Sequence, residues 1–189
     1  MNRLFALLFV LVFAVPVLSQ TGKVIESLKF ESKLVGYPVE YSVYLPADYE
    51  TSNRSYPVLY LLHGYSDDET GWIQFGEANS IADRGIANGD FPPCIIVMPD
   101  GKVTWYSNSI DGKDPWEDMF VDEFIPFIEK QYRIRANKEF RAIAGLSMGG
   151  NGALSLSMRH PDLFSSCVAM SAGTFTDEEI LNGNMYDRF

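Results

Sequence analysis

Residues 141–158 read RAIAGLSMGGNGALSLSM, and the stretch changes character at Ser147. Ala142 to Ala144 is a short apolar run of the kind a buried strand needs, and a small-residue helix pattern starts at Met148. Between them Gly145-Leu146-Ser147-Met148-Gly149 is G-x-S-x-G at a strand-to-helix turn, which makes Ser147 the candidate nucleophile. Side chains two residues to either side of so tight a turn would collide with the neighbouring strand and helix. Gly145 and Gly149 carry none. Gly150, Gly152 and Ala153 then let the helix lie close to a sheet, and its N-terminus sets free N–H groups and the positive dipole end beside Ser147.

Outward from this turn, three more apolar runs have the continuous hydrophobicity of strands covered on both faces. Val58–Leu62 ends at His63-Gly64, Cys94–Met98 at Pro99-Asp100-Gly101, and Ser166–Met170 at Ser171-Ala172-Gly173. With Ala142–Ala144 they make four candidate parallel strands. Residues 24–33 and 37–45 alternate and predict an antiparallel pair joined near Gly36. Helical patterns separate the runs: Ala78–Asn88, Pro115–Tyr132 and Met148–Arg159. The second predicts Asp114 as N-cap, Pro115 at the first position, and a kink at Pro126. Its apolar stripe includes Trp116, Met119, Phe120, Phe124, Phe127 and Ile128. Strands alternating with helices predict one α/β domain, a mostly parallel sheet with helices on both faces.

In such sheets ligands sit at the carboxyl ends of the strands. A serine needs donors aimed at the developing oxyanion, and these are assigned to two backbone amides. One is Met148, directly after the nucleophile, and the other is Tyr65, in the loop after His63-Gly64. Trp72 and Phe75 in that loop, and Trp105 and Tyr106 in another, either form a substrate platform or pack their loops down.

Residues 1–19 read as a cleaved secretory signal: Met1-Asn2-Arg3, an apolar run from Leu4 to Val15, then small residues before Gln20. The domain is therefore 20–189, and the expected location is secreted or periplasmic, with no stable membrane insertion. The chain carries 15 basic and 25 acidic residues, a net of −10, which argues against nucleic acid as a partner. Cys94 and Cys167 are too few for a disulfide framework and are expected as free thiols in separate buried strands. His63 and His160 are the only histidines and neither has a ligand cluster, so no metal is expected.

The segments LLHGYSDDETGW, IIVMPDG, WEDMFVDEFIPFIEKQY, AIAGLSMGGNGAL and RHPDLFSS resemble, in order and over most of residues 24–173, the esterase D-type branch of the α/β-hydrolases. That group is similar to feruloyl and acetyl xylan esterases (carbohydrate esterase family 1), S-formylglutathione hydrolases, enterochelin esterases and mycolyltransferases. The resemblance implies an α/β-hydrolase fold, a serine esterase needing no cofactor, Ser147 as nucleophile, and Tyr65 and Met148 as the oxyanion hole. Secretion favours a polysaccharide-linked ester, feruloyl or acetyl. Siderophore-ester hydrolysis and acyl transfer use the same chemistry, and a carbohydrate-binding homologue without a triad is a separate class.

The triad order in this fold is Ser, then Asp or Glu, then His. His63 precedes Ser147, and His160 follows at the end of the nucleophile helix, in a turn the family shares as a structural feature. Asp177, Glu178, Glu179 and Asp187 fall in the polar tail, earlier than the family's acid. The expectation is an N-terminal portion of a longer esterase whose remaining strands carry the acid and the base.

Overall fold

A computed structural model describes residues 21–174 and residue 178. The proposed signal segment and Asp177, Glu179 and Asp187 lie outside the described residues.

Six strands form one sheet in the order β1-β2-β4-β3-β5-β6. β1 (Lys23–Glu31) and β2 (Pro38–Leu45) are the expected antiparallel pair, turned at Gly36, whose φ of 73° is one that side chains disfavour. β2 then pairs antiparallel with β4 (Ile95–Pro99). From there the sheet is parallel: β4 to β3 (Val58–Leu62), β3 to β5 (Arg141–Leu146), and β5 to β6 (Ser166–Met170). The four continuous apolar runs are thus the parallel strands.

Alternation along each strand divides the core in two. Val58, Tyr60 and Leu62 of β3 and Ile95 and Val97 of β4 face one cluster. It is closed by the helical stretch 116–131 and by α5 (Met148–Arg159). Leu61, Ile96, Met98 and Ala144 face the other cluster, packed by α1 (Gly71–Gln74) and α2 (Ala78–Asn88). The first cluster is dominated by rings. Trp116 stacks on Phe120 at 5.1 Å, Phe120 on Phe124 at 5.9 Å, and Tyr60 meets Phe120 edge-on at 5.5 Å. Arg141 anchors the start of β5 by an ion pair with Glu129 and a 2.6 Å bond to the Leu163 carbonyl.

Two local expectations are revised. The helix begins one residue late, with α3 (Trp116–Asp118) capped by Pro115; Asp114 instead accepts the Tyr37 hydroxyl at 3.0 Å. The helical run continues through Pro126. A π-helical stretch, Met119–Phe124, runs into α4 (Ile125–Gln131), where Pro126 occupies a first-turn position that needs no N–H. Both cysteines are free, but Cys167 is exposed, because β6 is the outer strand among the described residues and has β5 on one side only.

Cys94, just ahead of β4, is half-buried, and burial pushes its thiol up to about 11. The expected outcome at pH 8 is alkylation of Cys94 by iodoacetamide about 100-fold slower in the folded protein than in urea. Peptide mapping by mass spectrometry reads this, and equal rates would contradict the burial.

Candidate active site

Ser147 stands between β5 and α5 with φ 56° and ψ −113°, a conformation costing a non-glycine residue on the order of 1–3 kcal/mol. Surrounding bonds impose it. The Ser147 amide donates to the Met170 carbonyl at 2.9 Å, and the Ser147 carbonyl accepts the amides of Asn151 and Gly173, both at 3.0 Å. The loop after β6 is held in turn by Asn151, whose Nδ2 donates to the Gly173 carbonyl at 2.8 Å.

The spacing glycines are fixed by close approach. A Cβ on Gly145 would come 2.1 Å from the Gly149 carbonyl oxygen. On Gly149 it would come 2.4 and 2.5 Å from the carbonyl oxygens of Leu62 and His63. The first turn of α5 therefore rides on the carboxyl end of β3. A Cβ on Gly64 would stand 3.8 Å from the Ser147 Cβ, so the loop after β3 abuts Ser147. Met148 is the first residue of α5, where an amide has no partner inside the helix. Tyr65 follows Gly64 with an exposed ring 6.5 Å from Trp105. The structure thus brings Ser147, Met148 and the loop bearing Tyr65 together.

Neither histidine is free to serve Ser147. His63 is buried, and its Nε2 accepts the Gly101 amide at 2.9 Å. Because that amide is a donor, the ring proton sits on Nδ1 and goes to the Gly64 carbonyl at 2.8 Å. His63 therefore ties the loop after β3 to the loop after β4. Asp100 lies 3.4 Å from Nε2. The Lys102 amide donates to the Asp100 carboxylate at 2.7 Å. His160 pairs with Glu117 at 2.8 Å at the far end of α5, about 20 Å along the helix from Ser147. Among the described residues Ser147 Oγ has no hydrogen-bond partner, and Glu178 is exposed.

The aromatic candidates separate. Tyr106 is fully buried, donates its hydroxyl to the His63 carbonyl at 2.9 Å and meets Trp116 edge-on at 5.0 Å. It packs its loop down rather than facing a ligand. Trp105 is buried 3.0 Å from where a Gly173 Cβ would stand, and is therefore part of the wall behind Ser147. Trp72 is half-buried and donates Nε1 to the Leu62 carbonyl at 3.1 Å. Sequence reading passed over Asn151; an amide side chain inside a run of glycines on the first turn of α5 was its signal. Among the described residues no group of three His, Cys, Asp or Glu is placed to hold a metal, and no helix is long and apolar enough to cross a membrane.

A family model described as "Putative esterase" matches residues 32–178. The chain is 37% identical over 163 residues to an endo-1,4-beta-xylanase/feruloyl esterase of Xylanibacter ruminicola, covering 82% of this chain and 22% of the relative. Among solved structures, a ferulic acid esterase superposes with a TM-score of 0.75 at 38% identity, covering 80% of this chain and 59% of that one. The fluorophosphonate-binding serine hydrolase F of Staphylococcus aureus superposes at 0.72 with 25% identity, over 88% and 63%. The chain thus spans about a fifth of the curated relative's length and about three fifths of each solved structure's.

Gly149→Ala sets a methyl group against two backbone carbonyls that cannot swing aside. Its expected cost is about 1–3 kcal/mol, read as a lowered urea midpoint. An unchanged midpoint would show that α5 can retreat from β3.

Proposed function

This chain belongs to the esterase family whose model spans residues 32–178, and its fold is that of the α/β-hydrolase esterases. On that footing we propose that it carries the nucleophile of a serine carboxylic-ester hydrolase working through an acyl-enzyme. The observation that carries the reading is Ser147, held at positive φ on the turn between β5 and α5, beside the first turn of that helix.

In this mechanism Ser147 Oγ attacks the ester carbonyl carbon as a base takes its proton. The tetrahedral oxyanion is met by the amides of Met148 and Tyr65. Collapse expels the alcohol, which receives that proton, and leaves an acyl-serine. Water, deprotonated by the same base, then attacks the acyl-serine and releases the acid. His63 and His160 are both engaged elsewhere, so neither is assigned as that base.

The substrate class is a feruloyl or acetyl ester of plant polysaccharide, with a secreted or periplasmic location. Two similarities support it: the relative whose name couples xylanase with feruloyl esterase, and the neighbouring ferulic acid esterase. The Staphylococcus aureus protein, a fluorophosphonate-binding serine hydrolase by its name, supports a serine nucleophile.

The test uses the full-length protein and a chromogenic feruloyl or acetyl ester. Ser147→Ala is expected to lower kcat by at least about 10⁴-fold and to abolish labelling by a fluorophosphonate. Residues 20–189 expressed alone are expected to turn over near the uncatalysed rate. Full-length protein that binds xylan oligosaccharides but hydrolyses neither ester would overturn the catalytic reading in favour of a binding homologue.

A further inference from the structure

β1 carries one residue more than its neighbour needs. Ile25 pairs with Val43 and Leu28 with Tyr41, so Glu26 and Ser27 together face Ser42. This is a β-bulge, and Ser27 stands in it at φ 53°, a conformation that side chains avoid. Its amide leaves the ladder and donates to Ser42 Oγ at 3.4 Å. Its hydroxyl, turned away from β2, donates to Glu69 Oε1 at 2.7 Å. The bulge thus re-aims one side chain at an acid 42 residues further along the chain.

Glu69 is 4% exposed. A carboxylate is costly to bury unless it is hydrogen-bonded, and packing alone would be met by an apolar side chain. Glu69 lies at the end of the loop that starts at Gly64 and carries Tyr65, just ahead of Thr70 and α1. That loop is bonded to itself along its length. The Asp67 amide donates to the Gly64 carbonyl at 3.2 Å, the Asp68 amide to Asp67 Oδ1 at 3.0 Å, and the Thr70 amide to Asp68 Oδ1 at 2.8 Å. Bonds of this kind make the loop move as one piece. His63 holds it by Gly64 at one end, and Ser27 holds it by Glu69 at the other.

We infer that Glu69 is a positioning residue for the Tyr65 amide, fixing through Ser27 of the β1 bulge the loop that aims this amide at the oxyanion. It touches no reacting atom. The inference rests on the proposed esterase reading, with Tyr65 as an oxyanion donor. A slightly displaced amide still lets substrate bind, but it meets the oxyanion less well. The loss therefore falls on kcat and spares KM.

The experiment uses the full-length protein, a chromogenic acetyl ester and three variants. Ser27→Gly suits the bulge backbone and deletes the hydroxyl. Glu69→Ala deletes the acceptor, and Glu69→Gln keeps a carbonyl oxygen for Ser27. Ser27→Gly and Glu69→Ala are expected to lower kcat about tenfold with KM unchanged, and Glu69→Gln to stay within about twofold of the parent. Amide hydrogen exchange over residues 63–72, read by mass spectrometry, is expected to quicken about tenfold in the first two variants, with β5 unchanged. Equal losses in Glu69→Gln and Glu69→Ala, a raised KM at unchanged kcat, or exchange indifferent to Ser27 overturns the positioning role. The esterase reading stands or falls separately, on whether Ser147→Ala abolishes hydrolysis. In a protein inert to esters, quickened exchange confined to residues 63–72 still supports the hold of Glu69 on the loop, and unchanged exchange overturns it.

Discussion

The contact on which the rest depends is between backbones. Gly149, in the first turn of α5, lies so close to the carbonyls of Leu62, which ends β3, and of His63 just after it that a single methyl group does not fit. With the helix start that near the strand end, the chain leaving β5 has little room to turn, and Ser147 takes a conformation that side chains avoid. The strain is held because both ends of the turn are over-determined. The Ser147 amide is bonded to the neighbouring strand, and its carbonyl is shared between α5 and the loop after β6. The same closeness puts unpaired helix amides beside the hydroxyl. One steric fact thus sets both the turn at Ser147 and the free helix amide next to it.

The ring cluster supplies the rigidity behind this arrangement. Tyr106, Trp116, Phe120, Phe124 and Tyr60 form a continuous set of stacked and edge-on contacts beneath the parallel strands. A core of large planar side chains has few alternative packings, so a displacement at one end is resisted across the cluster. Tyr106 links it directly to the site, because its hydroxyl reaches the carbonyl of His63.

Most of this architecture was legible because burial and chain geometry write themselves into local pattern. Continuous apolar runs marked the strands covered on both faces, and the alternating stretches marked the antiparallel pair. G-x-S-x-G marked the elbow through the collisions that glycine avoids. What was not legible depends on partners distant in sequence. Tyr106 reads equally as a substrate platform or as loop packing until the His63 carbonyl and Trp116 are known to lie against it. Cys167 reads as buried until its strand is found at the outer position. Asp114 and Pro115 read as cap and first turn, yet Tyr37, far away in the chain, recruits the aspartate. The π-helical accommodation of Pro126 has no local signature beyond the proline itself.

The His63 bridge has a mechanical consequence. By accepting from Gly101 and donating to Gly64, one imidazole makes the loops after β3 and β4 a single lever. Insertions or deletions in the β4 loop are then felt at the amide of Tyr65, although no residue of that loop touches it through this bridge. Grafting a new β4 loop would succeed or fail on where it leaves one glycine amide.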